Sequence, residues 1–475
     1  MENKSNSESI SITEALQDLE QFYFTLQKGS IAYYLSNEQE KKEIESRYNN
    51  YKEILLRNKA VSSNILDEEK QINTFDFYTE LTKIMGKVLK DKHSSLIYEE
   101  NEDIIRYKFA EDFIPYFSSD YYIKKGKYFV EHSNKKIKNS YRLLSECENE
   151  EIRQNTPYMI PIMHNNKELY KIVFFSDTND KSINYTDDKN NYVFYRSDFD
   201  YSKWNVYNSI YNNAKSAYWC CPYFYYEPEV KERHFTAFRE SAKSSVNKNI
   251  VFIDNRTNQG GSPFYHIQLL FELFGLDLNI FTDYIANLDY SKNPIEGSAL
   301  LSKLVAEQNI RVDENQKKYT ETETEDIKYW RNVYQTYSDD KVDFLVENAN
   351  IPWLHNKEIT NSIKFKGLIV FIIDYESVSW GELFYDYIKS GFNYKNIILV
   401  GTNSNGSATY GNPFVYTFKN SGIKMRLSSR TDDSVNDSNY YRQNIEGKGF
   451  FPDYWVSTEA ELAELIDYLY KQNVK

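Results

Sequence analysis

The clearest hydrophobic pattern in the chain is the apolar segment Leu368–Ile373 and the change of period that follows it. Six apolar residues in succession, without polar alternation, predict a strand buried on both faces, as in a parallel sheet. Beyond the turn at residues 374–382, apolar positions recur at helical spacing, at Leu383, Phe384, Tyr387 and Ile388. The pattern therefore predicts a strand, a turn that contains Ser379, and a helix.

Two further segments support the same architecture. Residues 249–254 predict a buried strand, residues 255–262 a turn that contains Gly260 and Gly261, and the apolar spacing from Ile267 onward a helix. Residues 397–401 predict a third buried strand. Because strands separated by helices form parallel or mixed sheets with crossover helices, we expect an α/β core in a chain that is α+β overall.

The chain of 475 residues exceeds what one compact core usually holds, and its patterns suggest three parts. Residues 1–92 show helical spacing, for example at Leu19, Phe22 and Leu26. Residues 93–176 contain short apolar segments typical of a small β-rich module. Residues 177–475 would form the α/β core, with a charged and mostly helical insertion at about 281–366.

Composition excludes several classes of function. The net charge of −13 argues against nonspecific binding to nucleic acid or to an anionic membrane. The three cysteines, Cys147, Cys220 and Cys221, include no CxxC spacing, so neither a disulfide framework nor a zinc site is indicated, and we expect no metal and no cofactor. No apolar run reaches transmembrane length, and the polar N-terminus lacks the apolar centre of a signal peptide. We expect no membrane insertion and a cytoplasmic protein by default, or an exported one if a signal segment was removed.

Four positions could carry chemistry, and each also has an ordinary structural interpretation. Ser379 could be a nucleophile at the start of a helix, where backbone N–H groups are free, or simply the N-cap of that helix. The turn with Gly260 and Gly261 could bring N–H groups to a ligand or be a tight turn; it matches neither GxxxxGK[ST] nor GxGxxG. His93 could be a general base or a structural histidine, and Glu446 by itself is a loop carboxylate.

Taken in order, these segments resemble the S41 family of serine peptidases, of the C-terminal processing and tricorn-core type. Residues 91–94, DKHS, resemble the family segment D-x-H-[ST], and residues 254–261, DNRTNQGG, resemble D-x-R-x-N-x-G-G. Residues 377–382, SVSWGE, resemble the nucleophile segment S-x-S-x-x-E. Residues 400–401, 418–423 and 446–453 resemble the closing strands. The resemblance implies a crotonase/ClpP-like mixed sheet and a serine endopeptidase acting on peptides or unfolded proteins; homo-oligomerisation stays open.

The resemblance also implies roles for individual residues. One version of the family uses a lysine after the Val-Gly strand end, but Ser407 stands at that place here, so the other version, with a histidine base, applies. Ser379 would attack the scissile carbonyl, His93 would accept its proton, and Glu446 would orient His93, with Ser94 as a bridging hydroxyl. The oxyanion hole would be formed by the N–H groups of Trp380 and of Gly260 or Gly261.

The sequence departs from the family pattern in three ways. Lys92 precedes the histidine where serine is common, and the bulky Trp380 follows the nucleophile where a small residue is usual, so its indole could narrow a substrate pocket. No GLG loop of the PDZ type is evident in residues 93–176. Two alternatives therefore stay open: a non-catalytic relative that binds peptides or a protein partner, and a hydratase-type enzyme acting on acyl-CoA, which the acidic charge does not favour.

Overall fold

The computed structural model describes residues 9–65, 70–100, 103–126, 128–131, 141–148, 151–186, 191–221, 228–261, 263–286, 297–298, 344–345, 352–431 and 446–474. These residues form two compact units. Unit 1 is drawn from residues 1–111, 288–350 and 409–447, and unit 2 from residues 112–287, 351–408 and 448–475.

The α-helices of the described residues are α1 (Ile12–Gly29), α2 (Ile31–Leu35), α3 (Glu38–Ile65), α4 (Thr74–Met85), α5 (Trp204–Tyr211), α6 (Pro228–Ser244), α7 (Pro263–Phe274), α8 (Leu278–Ala286), α9 (Lys357–Ser362), α10 (Trp380–Asp386) and α11 (Glu459–Asn473). The strands are β1 (Ser9–Ser11), β2 (Gln71–Asn73), β3 (Ser95–Glu100), β4 (Asp103–Lys108), β5 (Ile114–Ser118), β6 (Tyr122–Lys125), β7 (Tyr128–Glu131), β8 (Pro157–His164), β9 (Lys167–Ser176), β10 (Ser182–Thr186), β11 (Asn191–Arg196), β12 (Ser216–Cys220), β13 (Ile250–Asp254), β14 (Gly297–Ser298), β15 (Phe344–Leu345), β16 (Leu368–Ile373), β17 (Ile397–Gly401), β18 (Tyr410–Thr417), β19 (Lys424–Thr431) and β20 (Tyr454–Trp455).

Unit 1 packs helices against a four-stranded sheet with the order β18-β19-β3-β4. Helix α1 begins with a capping box, in which Ser11 and Glu14 each accept a hydrogen bond from the other's backbone N–H. Its apolar face, including the fully buried Phe22, joins Phe77 of α4 and Leu96 of β3 in one hydrophobic core. Two short ladders, β1 with β2 and β14 with β15, complete the described strands of this unit.

Unit 2 is built on one large mixed sheet. Its main path runs β10-β11-β5-β9-β8-β20-β17-β16-β13-β12, with β6 and β7 attached beside β9. The strands from β8 through β20, β17, β16 and β13 to β12 are parallel neighbours, whereas β9, β5, β11 and β10 continue the sheet in antiparallel pairs. Every residue of β13 and β16 is buried, as expected for strands covered on both faces.

The parallel strands place the polar turns of unit 2 at one edge of the sheet. In the register, Asp254 at the end of β13 pairs with Ile372 of β16, and Ile373 pairs with Gly401 at the end of β17. Ligand sites of open α/β sheets lie at the carboxyl ends of such strands. The turns that follow β13, β16 and β17 therefore meet where Ser379 lies.

The α/β fold class predicted from the sequence is confirmed, as are the predicted strands at residues 249–254, 368–373 and 397–401. The expected module at residues 93–176 is distributed differently, because β3 and β4 belong to unit 1 whereas β5 to β9 belong to the large sheet of unit 2. Most of the expected insertion at 281–366 lies outside the described residues. Among the described helices, none is both long and apolar enough to cross a membrane.

Candidate active site

Ser379 occupies a strained backbone position at the start of α10. It is the N-cap residue of that helix, but its φ of 56° and ψ of −122° lie outside the β region that N-cap residues normally adopt. A residue other than glycine rarely takes a positive φ, and such strain costs on the order of 1–3 kcal/mol. Strained residues of this kind are concentrated at functional sites. The backbone therefore distinguishes Ser379 from an ordinary helix cap.

The two serines of the turn have different environments. Ser377 is fully buried, and its hydroxyl donates to the carbonyl of Asn255 at 2.9 Å and accepts from the N–H of Asp374 at 3.3 Å. Because the Ser377 hydroxyl forms these hydrogen bonds, its role is structural. Ser379 is partly exposed. Of the two serines, Ser379 is the one that a substrate can reach.

The buried carboxylate of Glu382 anchors the turn. Its Oε2 accepts the N–H of Ser379 at 3.2 Å and both the N–H and the hydroxyl of Ser407, at 2.8 and 3.1 Å. Its Oε1 accepts the hydroxyl of Ser404 at 2.5 Å and the N–H of Gly406 at 2.7 Å. A carboxylate with this many donors ties the start of α10 to the loop that follows β17. It also places Ser407, which stands where a lysine would be expected, beside Ser379.

The loop after β13 is attached to the Ser379 turn by several hydrogen bonds. The N–H of Val378 donates to the carbonyl of Asn258 at 2.8 Å, and the side-chain amide of Asn255 donates to the carbonyl of Gly381 at 2.7 Å. A Cβ atom on Gly260 would lie only 2.9 Å from the nitrogen of Trp380, so only glycine allows this approach. The glycine turn thus lies directly against Ser379.

A buried ion pair holds the base of the same loop. The guanidinium of Arg256 binds both carboxylate oxygens of Asp254, at 2.9 and 2.7 Å, and Glu459 at the start of α11 at 2.8 Å. Arg256 is fully buried and its guanidinium lies over the rings of Phe199 and Tyr201. Since burying charges is costly unless they are fully paired, this arrangement strongly restricts the loop conformation.

Two backbone N–H groups are candidates for an oxyanion hole. Trp380 is the first residue of α10, so its N–H has no acceptor within the helix. The N–H of Gly260 is already donated to Asn258 Oδ1 at 2.8 Å, which removes it from the predicted set of donors. The N–H of Gly261 makes no hydrogen bond to a described residue. Trp380 and Gly261 are therefore the better pair.

The side chain of Trp380 packs along its own helix. Its ring centroid lies 5.0 Å from that of Tyr387 and 6.5 Å from that of His266 on α7. The indole remains partly exposed. The space beside Tyr387, which directly follows α10, and His266 of α7 explains how a large residue can follow Ser379.

In unit 1, His93 lies beside Asp91. The backbone N–H of His93 donates to Asp91 Oδ1 at 2.8 Å, and the ring Nδ1 lies 3.8 Å from the same oxygen, too far for a hydrogen bond. Burial lowers the pKa of His93 below its ordinary value; Asp91 opposes this shift and Arg426 adds to it. His93 is therefore a neutral imidazole at neutral pH, the form required of a general base.

Glu446 and Ser94 surround the same segment but do not bond to the His93 ring. Glu446 is buried and accepts the N–H of Lys92 at 3.5 Å and of Thr409 at 2.8 Å. The hydroxyl of Ser94 donates to Asp91 Oδ2 and accepts the N–H of Ser428 at 3.2 Å. Since Nδ1 of His93 has no hydrogen-bond partner among the described residues, they do not form the predicted relay from Glu446 through Ser94. Asp91 is the carboxylate nearest to the ring nitrogen.

The predicted site residues thus fall into two groups. Unit 2 contains Ser379, Trp380 and the two glycines. Unit 1 contains His93 and Ser94, with Glu446 bonded to the neighbouring Lys92. Sequence reasoning missed the roles of Asp91 and Glu382, although both belong to the quoted motifs D-x-H-[ST] and S-x-S-x-x-E. Within the described residues, no group of three or more His, Cys, Asp and Glu side chains could hold a metal ion.

Neither the comparison with protein-family models nor the comparison with curated proteins gives a match. Several solved structures are similar to this chain. Mature CPAF is 13% identical, with 98% of each chain covered and a TM-score of 0.45. The tricorn protease is 12% identical, with 98% of this chain and 37% of that chain covered and a TM-score of 0.37. A putative S41 protease from Bacteroides fragilis is 12% identical, with 74% and 78% covered and a TM-score of 0.26. Of these three, only the Bacteroides fragilis protein carries the S41 name.

Proposed function

We propose that the chain is a serine-type endopeptidase that cleaves peptides or unfolded proteins through an acyl-enzyme on Ser379. The observation that carries this proposal is the backbone of Ser379, a strained, partly exposed serine at the start of a helix. Trp380 begins α10, so its N–H has no acceptor within that helix, and the glycine turn lies against Ser379 at Gly260. The motifs shared with S41 peptidases point to the same chemistry.

In the proposed reaction, Ser379 Oγ attacks the carbonyl carbon of the scissile bond while its proton passes to Nε2 of His93. The oxyanion accepts hydrogen bonds from Trp380 and Gly261, each worth on the order of 100-fold in rate. As the C–N bond breaks, His93 returns the proton to the leaving amine. A water molecule then attacks the acyl-enzyme, again with His93 as the base, and releases the second product. The reaction requires Nε2 of His93 within about 3 Å of Ser379 Oγ.

Asp91 would stabilise the imidazolium that forms in each step. Its Oδ1 already accepts the backbone N–H of His93, and a ring rotation of modest size would bring Nδ1 from 3.8 Å into hydrogen-bond distance. Hydrogen bonds of catalytic groups often tighten only in the substrate complex. Glu446, which accepts the N–H of Lys92, would act on His93 through the backbone of that segment.

One observation favours a second candidate, a peptide-binding protein without turnover. Nδ1 of His93 is buried and no described residue forms a hydrogen bond with it, so none of them sets the tautomer of the ring. A binding protein would keep the Ser379 turn and the glycine loop but would not need an oriented base.

Hydrolysis of a denatured, fluorophore-labelled protein separates the two candidates. We expect wild-type protein to release labelled peptides, and Ser379→Ala and His93→Ala each to reduce the rate by at least about 1,000-fold. His164, which pairs with Glu464 at 3.0 Å on the surface of unit 2, supplies the control: His164→Ala should keep the wild-type rate. Binding of the denatured protein without any cleavage would favour the second candidate.

A further inference from the structure

A cavity of about 790 Å³ lies within unit 2, beside the segment that leads into Ser379. One wall is formed by Asp374, Tyr375 and Glu376, the first residues of the turn that contains Ser379. Other walls come from the ends of β5 and β11 and from Ser457 and Thr458, which precede α11. The volume is within the range of roughly 300–1,000 Å³ typical of ligand sites. No residue of the cavity takes part in the proposed reaction.

The floor of the cavity is polar but saturated with internal bonds. Lys171 is almost fully buried, and its Nζ lies 2.6 Å from Glu461 Oε1 and 2.9 Å from Ser457 Oγ. The hydroxyl of Tyr121 also donates to Glu461, at 3.0 Å. Because each of these groups already has its partners, breaking one to bind a ligand charge would cost more than it returns. The floor therefore offers a rigid surface rather than a charge.

The rim of the cavity carries balanced charges. Its cations are Lys181 and Arg196, and its carboxylates are Asp198 and Glu376. In the closest ion pair among them, Nη2 of Arg196 lies 3.5 Å from Oε1 of Glu376. About half of the Glu376 side chain is exposed. The two cations would attract a charged ligand about as strongly as the two carboxylates repel it, or the reverse. The rim thus favours a ligand without net charge.

Aromatic side chains supply half of the uncharged lining residues, namely Phe117, Tyr121, Tyr195, Tyr201 and Tyr375, and serine and threonine supply the other half. Tyr201 is held in place because its hydroxyl donates to Asp374 Oδ2 at 2.8 Å. Tyr195 keeps half of its surface exposed. Rings held in this way favour contact with an apolar or aromatic group.

We propose that this cavity is a substrate subsite that holds an uncharged aromatic or aliphatic side chain of the peptide, a few residues from the scissile bond. The inference rests on the proposed peptidase function for the class of ligand, a polypeptide. The cavity then gives the enzyme a preference for the side chain at one position of its substrate. Because residues 374–376 both line the cavity and belong to the turn that contains Ser379, a peptide held there would be oriented relative to Ser379.

The test uses the full chain with the Ser379→Ala substitution, which binds peptides without cleaving them. Fluorescein-labelled peptides of Ala, Ser and Gly, each with a single Tyr, Leu, Glu or Lys at a varied position, are titrated by fluorescence anisotropy. We expect one position at which the Tyr and Leu peptides bind about tenfold more tightly than the Glu and Lys peptides, a difference of about 1.4 kcal/mol.

Variants assign that preference to the cavity. Tyr195→Ala and the cavity-filling Ser119→Trp should reduce the preference to about twofold, whereas Tyr195→Phe should keep it, because the ring remains. Val193, on the same strand, is similarly exposed but does not line the cavity, so Val193→Ala is the matched control. Thermal unfolding of each variant verifies that it is folded.

The outcomes separate this proposal from the proposed activity. Tighter binding of Glu or Lys peptides, or a preference that Tyr195→Ala and Ser119→Trp both leave unchanged, overturns the subsite. If wild-type protein fails to hydrolyse any peptide while the preference is present, the subsite stands and the peptidase function falls. Hydrolysis without any positional preference overturns the subsite alone.

Discussion

The backbone N–H of Ser379 donates to the carboxylate of Glu382, three residues further along the chain, at 3.2 Å. The same oxygen of Glu382 accepts the N–H of Ser407 at 2.8 Å. The buried acid thus holds the backbone of the strained serine in place, while Ser379 itself remains partly exposed. The hydrogen bond from Ser379 to Glu382 offsets part of the backbone strain at Ser379.

Replacing Glu382 should therefore affect both stability and activity. In Glu382→Gln the new amide NH₂ would face N–H donors that now point at a carboxylate, so we expect a loss of about 2–4 kcal/mol in the free energy of unfolding. Displacement of the Ser379 turn should also lower the hydrolysis rate, by about 100-fold or more. Urea unfolding and peptide hydrolysis measure the two effects.

Glu53 is the matched control, since it is an exposed acid that pairs with Arg57 at 3.0 Å on one helix face. Glu53→Gln should change the free energy of unfolding by no more than about 0.5 kcal/mol. Equal effects of the two substitutions would show that the Glu382 network does not support the turn.

The strain at Ser379 predicts that the protein is more stable without it. Glycine adopts a positive φ freely, so Ser379→Gly should relieve about 1–3 kcal/mol of strain and lose about 0.5–1 kcal/mol through the greater freedom of the unfolded chain. We expect a net rise of about 1 kcal/mol in the free energy of unfolding, together with complete loss of hydrolysis. Ser379→Ala, which keeps the strain, should gain less. Denaturant unfolding of both variants checks this; lower stability of Ser379→Gly would argue against strain.

Much of the fold follows from the sequence because the central strands are apolar up to their last residue. β13, β16 and β17 lie where the hydrophobic pattern placed them. The division of residues 93–176 between two units did not follow, because strands β3 and β5 have similar apolar patterns and only long-range pairing, with β19 and β9 respectively, separates them. Local periodicity contains no information on such pairing.

The residues of the candidate site could be predicted from motifs, but the hydrogen bonds among them could not. The glycine turn and Ser379 do adjoin, as their positions at the ends of parallel strands require. The occupied N–H of Gly260 depends on the rotamer of Asn258, and the approach of Asp91 to His93 depends on a turn of three residues. Neither contact leaves a pattern in the sequence that distinguishes it from its alternatives.

The lowered pKa of His93 predicts the pH dependence of hydrolysis. As a base, His93 must be neutral, so the acidic limb of kcat/KM should have its midpoint below about 6.5. Asp91 raises this pKa and Arg426 lowers it, so Asp91→Asn should move the limb to lower pH and Arg426→Gln to higher pH. A pH–rate profile of the three proteins tests these signs. A limb that moves in the same direction in both variants would assign it to another group.

The same shift has a consequence for stability. Between the lowered pKa of folded His93 and about 6.5, the unfolded chain binds a proton that the folded protein does not. The contribution of His93 to stability is therefore constant above this window and falls as the pH drops through it. Comparing wild-type protein with His93→Gln by denaturant unfolding at several pH values isolates this contribution.

The most direct test of the proposed nucleophile is reaction with a fluorophosphonate, followed by mass spectrometry of the labelled peptide. We predict a single adduct on Ser379, formed by wild-type protein and by Ser377→Thr, a variant that keeps the buried hydroxyl bonds of that position. The adduct should be absent from Ser379→Ala and should form far more slowly in His93→Ala. A folded wild-type protein that forms no adduct, or one that is labelled at a different serine, would contradict the assignment of Ser379 as the nucleophile.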